Sequence, residues 1–202
     1  MKFPSKVLEE TVNAIASLPG IGKKTALRLA LHLTQDEKGK IENLITSLSK
    51  LNTDIKRCSK CHMLSDHDIC DICKTSSRDN GIICVVETIR DVMAIEDTEQ
   101  FHGRYHILGG VISPIEGIGP EQLNIESLVD RVKAGDVKEI IMALSPSIEG
   151  DTTIYYISKK LVDLDVSIST IARGVSFGGD LEYADEFTLG KSISARMPYH
   201  AL

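Results

Sequence analysis

Residues 58–73 read Cys58-Ser-Lys-Cys61-His-Met-Leu-Ser-Asp-His-Asp-Ile-Cys70-Asp-Ile-Cys73. Two C-x2-C pairs stand eight residues apart. Cysteines at that spacing aim both sulfurs at one centre from a tight turn, and two such knuckles make a tetrahedral four-sulfur site suited to Zn2+. Four protein ligands leave no open coordination position, so the expected metal is structural. So short a segment has little core of its own, and the metal supplies its folding energy. Two disulfides are the alternative, and a chain without a secretory leader makes them the poorer reading. His62 and His67 lie inside the loop and read as surface residues, because the thiolates already complete the shell. Cys84, in an apolar run, reads as a plain buried thiol.

The texture of the chain differs on the two sides of this knot. Towards the N-terminus the apolar positions recur at helical spacing. The expected helices are Lys6 to Leu18, about Lys23 to Leu33, and about Ile41 to Leu51, the last with Ile41, Leu44, Ile45, Leu48 and Leu51 on one face. Towards the C-terminus short β-branched runs alternate with helical ones. Ile82–Val86, Tyr105–Leu108, Glu139–Leu144 and Val166–Ala172 read as strands; Thr88–Ile95, Ile125–Lys133 and Thr152–Leu164 read as helices. Such alternation implies a mostly parallel sheet covered on both faces. The expected organisation is multi-domain, α followed by α/β: residues 1–53, 54–79, 80–173 and a tail, 174–202.

Charge divides along the same line. The 202-residue chain has a formal net charge of −6. Met1 to Arg57 holds ten Lys and Arg against six Asp and Glu, whereas Cys58 to Leu202 holds thirteen against twenty-three. A basic helical module joined to an acidic body is compatible with nucleic acid at one end. The first residues lack the features of a signal peptide and no stretch is apolar enough for a membrane span, so the expectation is a cytoplasmic protein with no membrane partner.

Leu18-Pro-Gly-Ile-Gly-Lys-Lys-Thr25 lies between the first two helices. It is not a P-loop: that motif needs a glycine where Ser17 stands and a Ser or Thr directly after its lysine, where Lys24 stands. Apolar-x-Gly-apolar-Gly with a basic residue opening the next helix is instead the signature of a helix-hairpin-helix. Gly20 and Gly22 let the backbone turn sharply, and the amides opening the second helix face a phosphate. Lys23, Lys24 and, one turn on, Arg28 add charge. Contacts of that kind are independent of base sequence and weakened by salt. A hairpin used only for packing is the competing reading.

Glu87 ends the strand Ile82–Val86, and Glu149-Gly-Asp151 follows the strand Glu139–Leu144 by a short loop. Functional groups in parallel sheets gather at strand C-terminal ends, so the three carboxylates could converge on Mg2+. A strand-terminal Glu with a later acidic-x-acidic pair resembles the Toprim domain of topoisomerases and primases, with Glu149 where that pattern has Asp. No nucleophile accompanies it, and Tyr155 and Tyr156 read as packing residues.

Taken in order, these parts resemble the bacterial RecR family of recombination mediators. The resemblance rests on Leu18–Gly22, the four cysteines, Leu108-Gly-Gly-Val-Ile-Ser-Pro-Ile-Glu-Gly-Ile-Gly-Pro120 and Ile171-Ala-Arg-Gly-Val-Ser-Phe-Gly-Gly-Asp-Leu-Glu-Tyr-Ala-Asp185. It spans essentially the whole chain. It implies a helix-hairpin-helix, a four-cysteine zinc finger, a Toprim domain and a C-terminal oligomerisation tail. It further implies a ring-shaped homotetramer around DNA that works with RecO and RecF to load recombinase onto single strands at the nucleoid. It maps DNA contact to Gly20, Gly22, Lys23, Lys24 and Arg28, zinc to Cys58, Cys61, Cys70 and Cys73, and the Toprim acids, fitted to partner contact, to Glu87, Glu149 and Asp151. The rivals are a Mg2+-dependent Toprim nuclease, which would cleave DNA, and a zinc-ribbon transcription factor, which would need a base-reading helix that the sequence lacks.

Overall fold

A computed structural model describes residues 3–35, 39–175 and 178–198. The chain divides into two compact units, residues 1–55 and 56–202.

In the first unit, α1 (Lys6–Ala16) is capped by the Ser5 side chain, which accepts from the Leu8 N–H. It ends two residues before Leu18 because the turn leading to Pro19 and Gly20 needs them: the Leu18 N–H donates to Ile15 and the Ile21 N–H to Leu18. α2 (Lys23–Thr34) packs on α1 through Val12, Ala26 and Ala30, with Leu8, Ile15, Ile21 and Leu27 around them. The small alanines allow the close approach of the two helices. α3 (Lys40–Thr53) forms where its periodicity places it but buries none of its residues; Ile45, Leu48 and Leu51 are each more than half exposed.

The second unit begins with a two-stranded antiparallel ribbon, β1 (Lys56–Arg57) and β2 (Leu64–Ser65), followed by a single helical turn, α4 (Asp71–Lys74). After these come β3 (Ile82–Val86), α5 (Ile89–Glu96), β4 (Arg104–Ile107), α6 (Ile125–Lys133), β5 (Glu139–Ala143), α7 (Ile148–Lys160), β6 (Ser167–Thr170) and α8 (Glu186–Ser194). The sheet is wholly parallel, in the order β4-β3-β5-β6. Side chains alternate along its central strand as a pleat requires. Ile83 and Val85 join the core with Leu128, Val132 and Ile157 of α6 and α7, while Cys84 and Val86 face Val92 of α5 and Tyr105. Met63 and Ile72, from the cysteine segment, pack on that second face.

Two expectations are corrected. The helix expected from Thr152 starts at Ile148, so Glu149 and Asp151 stand in its first turn rather than in a loop. Ser147 caps it, accepting from the Gly150 N–H at 3.0 Å, and acidic residues are favoured in a first turn by the helix dipole. Gly150 makes this start fit: a Cβ there would lie 2.0 Å from the Ser145 carbonyl oxygen. Tyr155 is no packing residue; it is 64% exposed and lies under the Lys159 ammonium. Tyr156 does pack against the main core.

The two family-like stretches acquire a physical account. In 108–120, Gly109 and Gly110 have positive φ, a bridge joins Ser113 to Ile118, and the Ile112 N–H donates to the buried Thr153 hydroxyl. In 171–185, Arg173 pairs with Asp151, and Asp185 caps α8 by accepting from the Thr188 N–H. Residues 176 and 177 of that stretch, like 199–202 of the tail, lie outside the described residues.

Candidate metal centre and nucleic-acid interface

The four cysteines are buried and their sulfurs lie within 4.8 Å of one another. Two turns bring them there. The Cys58 N–H donates to Met63 and the His62 N–H to Cys58, with His62 in the left-handed region; the Lys74 N–H donates to Cys70. A backbone amide also supports a ligand directly, the Cys70 N–H donating to the Cys58 sulfur at 3.3 Å. Cys61 and Cys70 are free thiols with sulfurs 3.5 Å apart, well beyond the roughly 2.05 Å of a disulfide. The donor set fits Zn2+: four soft, buried sulfurs supported by a backbone donor.

The knot is joined to the sheet by polar contacts that cysteine spacing does not foretell. The Ile107 N–H of edge strand β4 donates to the Cys61 carbonyl at 3.0 Å. Arg104 donates to the carbonyls of Cys73 and Thr75. Arg131, from α6, donates to the carbonyls of Lys60 at 3.2 Å and Tyr105 at 2.8 Å. His62 is partly buried and has partners in the α/β body rather than standing free at the surface. It bonds Ser127 at 2.9 Å and stacks edge-on against His106, while His67 is exposed as expected. His106 is fully buried; burial pushes it down to about 3, so it is a neutral ring donating through Nε2 to the Asn124 carbonyl. Cys84 is buried, and burial pushes its thiol up to about 12.

At the hairpin, Gly20 has φ +79°, a conformation that favours glycine. Gly22 does not need its glycine for conformation: it caps α2 with φ −80°. A Cβ at either position would meet nothing within 4 Å. No side chain caps α2 and no acidic residue occupies its first turn; Lys23, Lys24 and Arg28 are all exposed around it.

The three carboxylates do not converge. Among the described residues the four cysteines are the only group of three or more candidate ligands close enough to share an ion. Glu87 accepts from the Ser145 N–H at 2.6 Å. Asp151 is held by both terminal nitrogens of Arg173, which keeps its carboxyl below the usual range. Glu149 lies in the first turn of α7 and is only half-buried. The three acids therefore do not form a shared all-protein cage for a cation. Asp91, to which no motif points, lines a cleft of about 320 Å3 beside Glu87. Its carboxylate is occupied in capping α5 through Thr88.

Among the described residues no helix is long and apolar enough to cross a membrane. Family models match almost the whole chain: the RecR helix-hairpin-helix over residues 8–51, the RecR four-cysteine zinc finger domain over 55–74, the Toprim domain over 81–172 and the RecR C-terminal region over 174–197. The chain is 57% identical to a recombination protein RecR of Amoebophilus asiaticus, covering 99% of this chain and all of that one. It is 56% identical to the protein of that name from Cytophaga hutchinsonii, covering 97% and 96%. For the one from Flavobacterium johnsoniae the figures are 57%, 98% and 97%. With similarity at this level over its full length, the chain belongs to the RecR family of recombination proteins.

Proposed function

We propose that this protein is a non-enzymatic DNA-binding clamp and adaptor of recombinational repair. The observation that carries the reading is the open space at Gly22. Neither backbone conformation nor internal packing calls for glycine there, yet a side chain would stand between an approaching phosphate and the uncapped amides of α2. Gly20 and Gly22 make the cradle, and Lys23, Lys24 and Arg28 supply its charge. Binding is to the backbone, on single or double strands, without base preference.

The finer assignment follows the family. Residues 1–53 contact DNA, 54–79 hold zinc at Cys58, Cys61, Cys70 and Cys73, 80–173 form the Toprim body and 174–202 the oligomerisation tail. A homotetrameric ring places the basic hairpins around DNA and so reconciles an acidic chain with an anionic ligand. RecO and RecF are the partners in loading recombinase, in the bacterial cytoplasm at the nucleoid. Glu87, Glu149 and Asp151 serve partner contact; their separate positions and internal commitments weigh against two-metal or one-metal cleavage.

The test is fluorescence anisotropy of labelled DNA with Mg2+ over a salt series, for the wild type and Lys23→Glu/Lys24→Glu. The wild type should bind salt-sensitively and leave the DNA intact. The reversal should weaken binding alike for all sequences and flatten the log–log salt slope by about 0.7–0.9 for each phosphate no longer neutralised. Unchanged binding would remove the hairpin from the interface, and Mg2+-dependent cleavage abolished by Glu87→Gln would make the protein an enzyme.

A further inference from the structure

Where the zinc knot meets the α/β body, a cleft of about 310 Å3 is lined by Lys60, Cys73, Asn80, Arg104, Arg131 and Asp136. Three cations in one cleft invite an anion. The balance of charge decides otherwise. A zinc ion held by four thiolates keeps two net negative charges, and Asp136 brings a third. The three cations are thus already balanced from within the protein.

Arg131 is the best placed of them. Its Nη1 donates to the Lys60 carbonyl inside the first knuckle and to the Tyr105 carbonyl on β4, and it approaches His106 Nδ1 at 3.4 Å. The neutral His106 ring, anchored through Nε2 to Asn124, offers that nitrogen as an acceptor. The two Nη1 hydrogens are therefore directed at two carbonyls beside the knot, with the His106 ring nitrogen at the edge of reach. Burial works against its charge, and Cys73 and Cys61 work for it. Arg104, by contrast, is engaged by two carbonyls of the second knuckle, and Lys60 is exposed.

We propose that Arg131 is the counter-charge of the zinc centre, a positioning residue by which the α/β domain retains the metal, and that the cleft is not a site for an outside anion. The proposal rests on the zinc reading. It places part of the metal's affinity in a residue far along the chain from the knot, so an isolated knot would hold zinc more weakly than the whole chain. Partners in the outer shell of a metal site commonly change affinity by about 10- to 100-fold.

The test uses the full zinc-loaded chain and reads zinc release to 4-(2-pyridylazo)resorcinol. Arg131→Met keeps the stem and removes the charge; release should quicken by about ten-fold or more. Arg131→Lys keeps a charge and should recover most of the retention. Val85→Ala, a cavity in the α/β core away from the knot, controls for lost stability. Release by Arg131→Met no faster than by wild type or by Val85→Ala, or Lys no better than Met, overturns the proposal. Should Arg131→Met not fold, Arg131→Gln makes the same comparison with a neutral donor. Saturable binding of inorganic phosphate that Arg131→Met removes would also overturn it. A wild-type chain purified without zinc would instead sink the zinc reading itself.

Discussion

The four thiols and the three carboxylates are both sets that the sequence offers as metal ligands, and they fare differently in the same folded unit. The thiols meet within 4.8 Å with a backbone amide behind one of them. The carboxylates part company: Glu87 turns to the Ser145 amide, Asp151 to Arg173, and Glu149 stands apart in the first turn of α7. A metal site held by protein groups alone needs converging donors, and only the first set converges. The folding consequence is equally unequal. Zinc supplies a core that so short a segment cannot build alone, whereas the carboxylates contribute local hydrogen bonds or an ion pair.

Three changes would break or sharpen that contrast. The largest effect should come from Cys58→Ser, which removes a ligand and leaves the Cys70 amide without its sulfur acceptor. Zinc content should fall to near zero and stability by several kcal/mol, on the order expected for a structural site. Metal analysis and thermal melting read it, and a metal-free variant melting like wild type would refute the zinc knot as a folding element. Next is Gly150→Ala. Its methyl would strike the Ser145 carbonyl, displacing the loop that delivers the Ser145 amide to Glu87. A cost of about 1–3 kcal/mol is expected in chemical denaturation; a neutral result would mean that α7 does not start where the structure places it. The smallest effect belongs to Arg173→Ala. The Asp151 side chain is half exposed, so the pair should contribute no more than ~1 kcal/mol. Mn2+ titration sharpens the point: Mn2+ should find no saturable site in the wild type, and a site there abolished by Asp151→Asn would return the carboxylates to metal chemistry.

The knot, the glycine turn and the strands are legible because their causes are local. The spacing of Cys58, Cys61, Cys70 and Cys73 dictates two knuckles, and the apolar run Ile82–Val86 fits a strand covered on both faces. The start of α7 was not legible by periodicity. It depends on the Ser147 cap and on a glycine that has no side chain to collide with Ser145, neither of which leaves an apolar signature. α3 shows the opposite limit: its apolar period correctly places a helix, yet the face it defines is left largely exposed.

By itself, then, the amino-acid sequence determined the order of parts, the metal ligand set and the glycines of the hairpin, because each follows from neighbours a few residues away. Only the tertiary structure decided which charges are committed and to whom. Arg131 reaches Lys60, His62 reaches Ser127, and Glu87 reaches Ser145, each across more than fifty residues of chain. Such pairs are chosen by the packing of a parallel sheet, whose crossovers bring distant residues to one edge. That is why four cysteines spelled out a site in advance, while the spacing of three acids did not reveal that they stay apart.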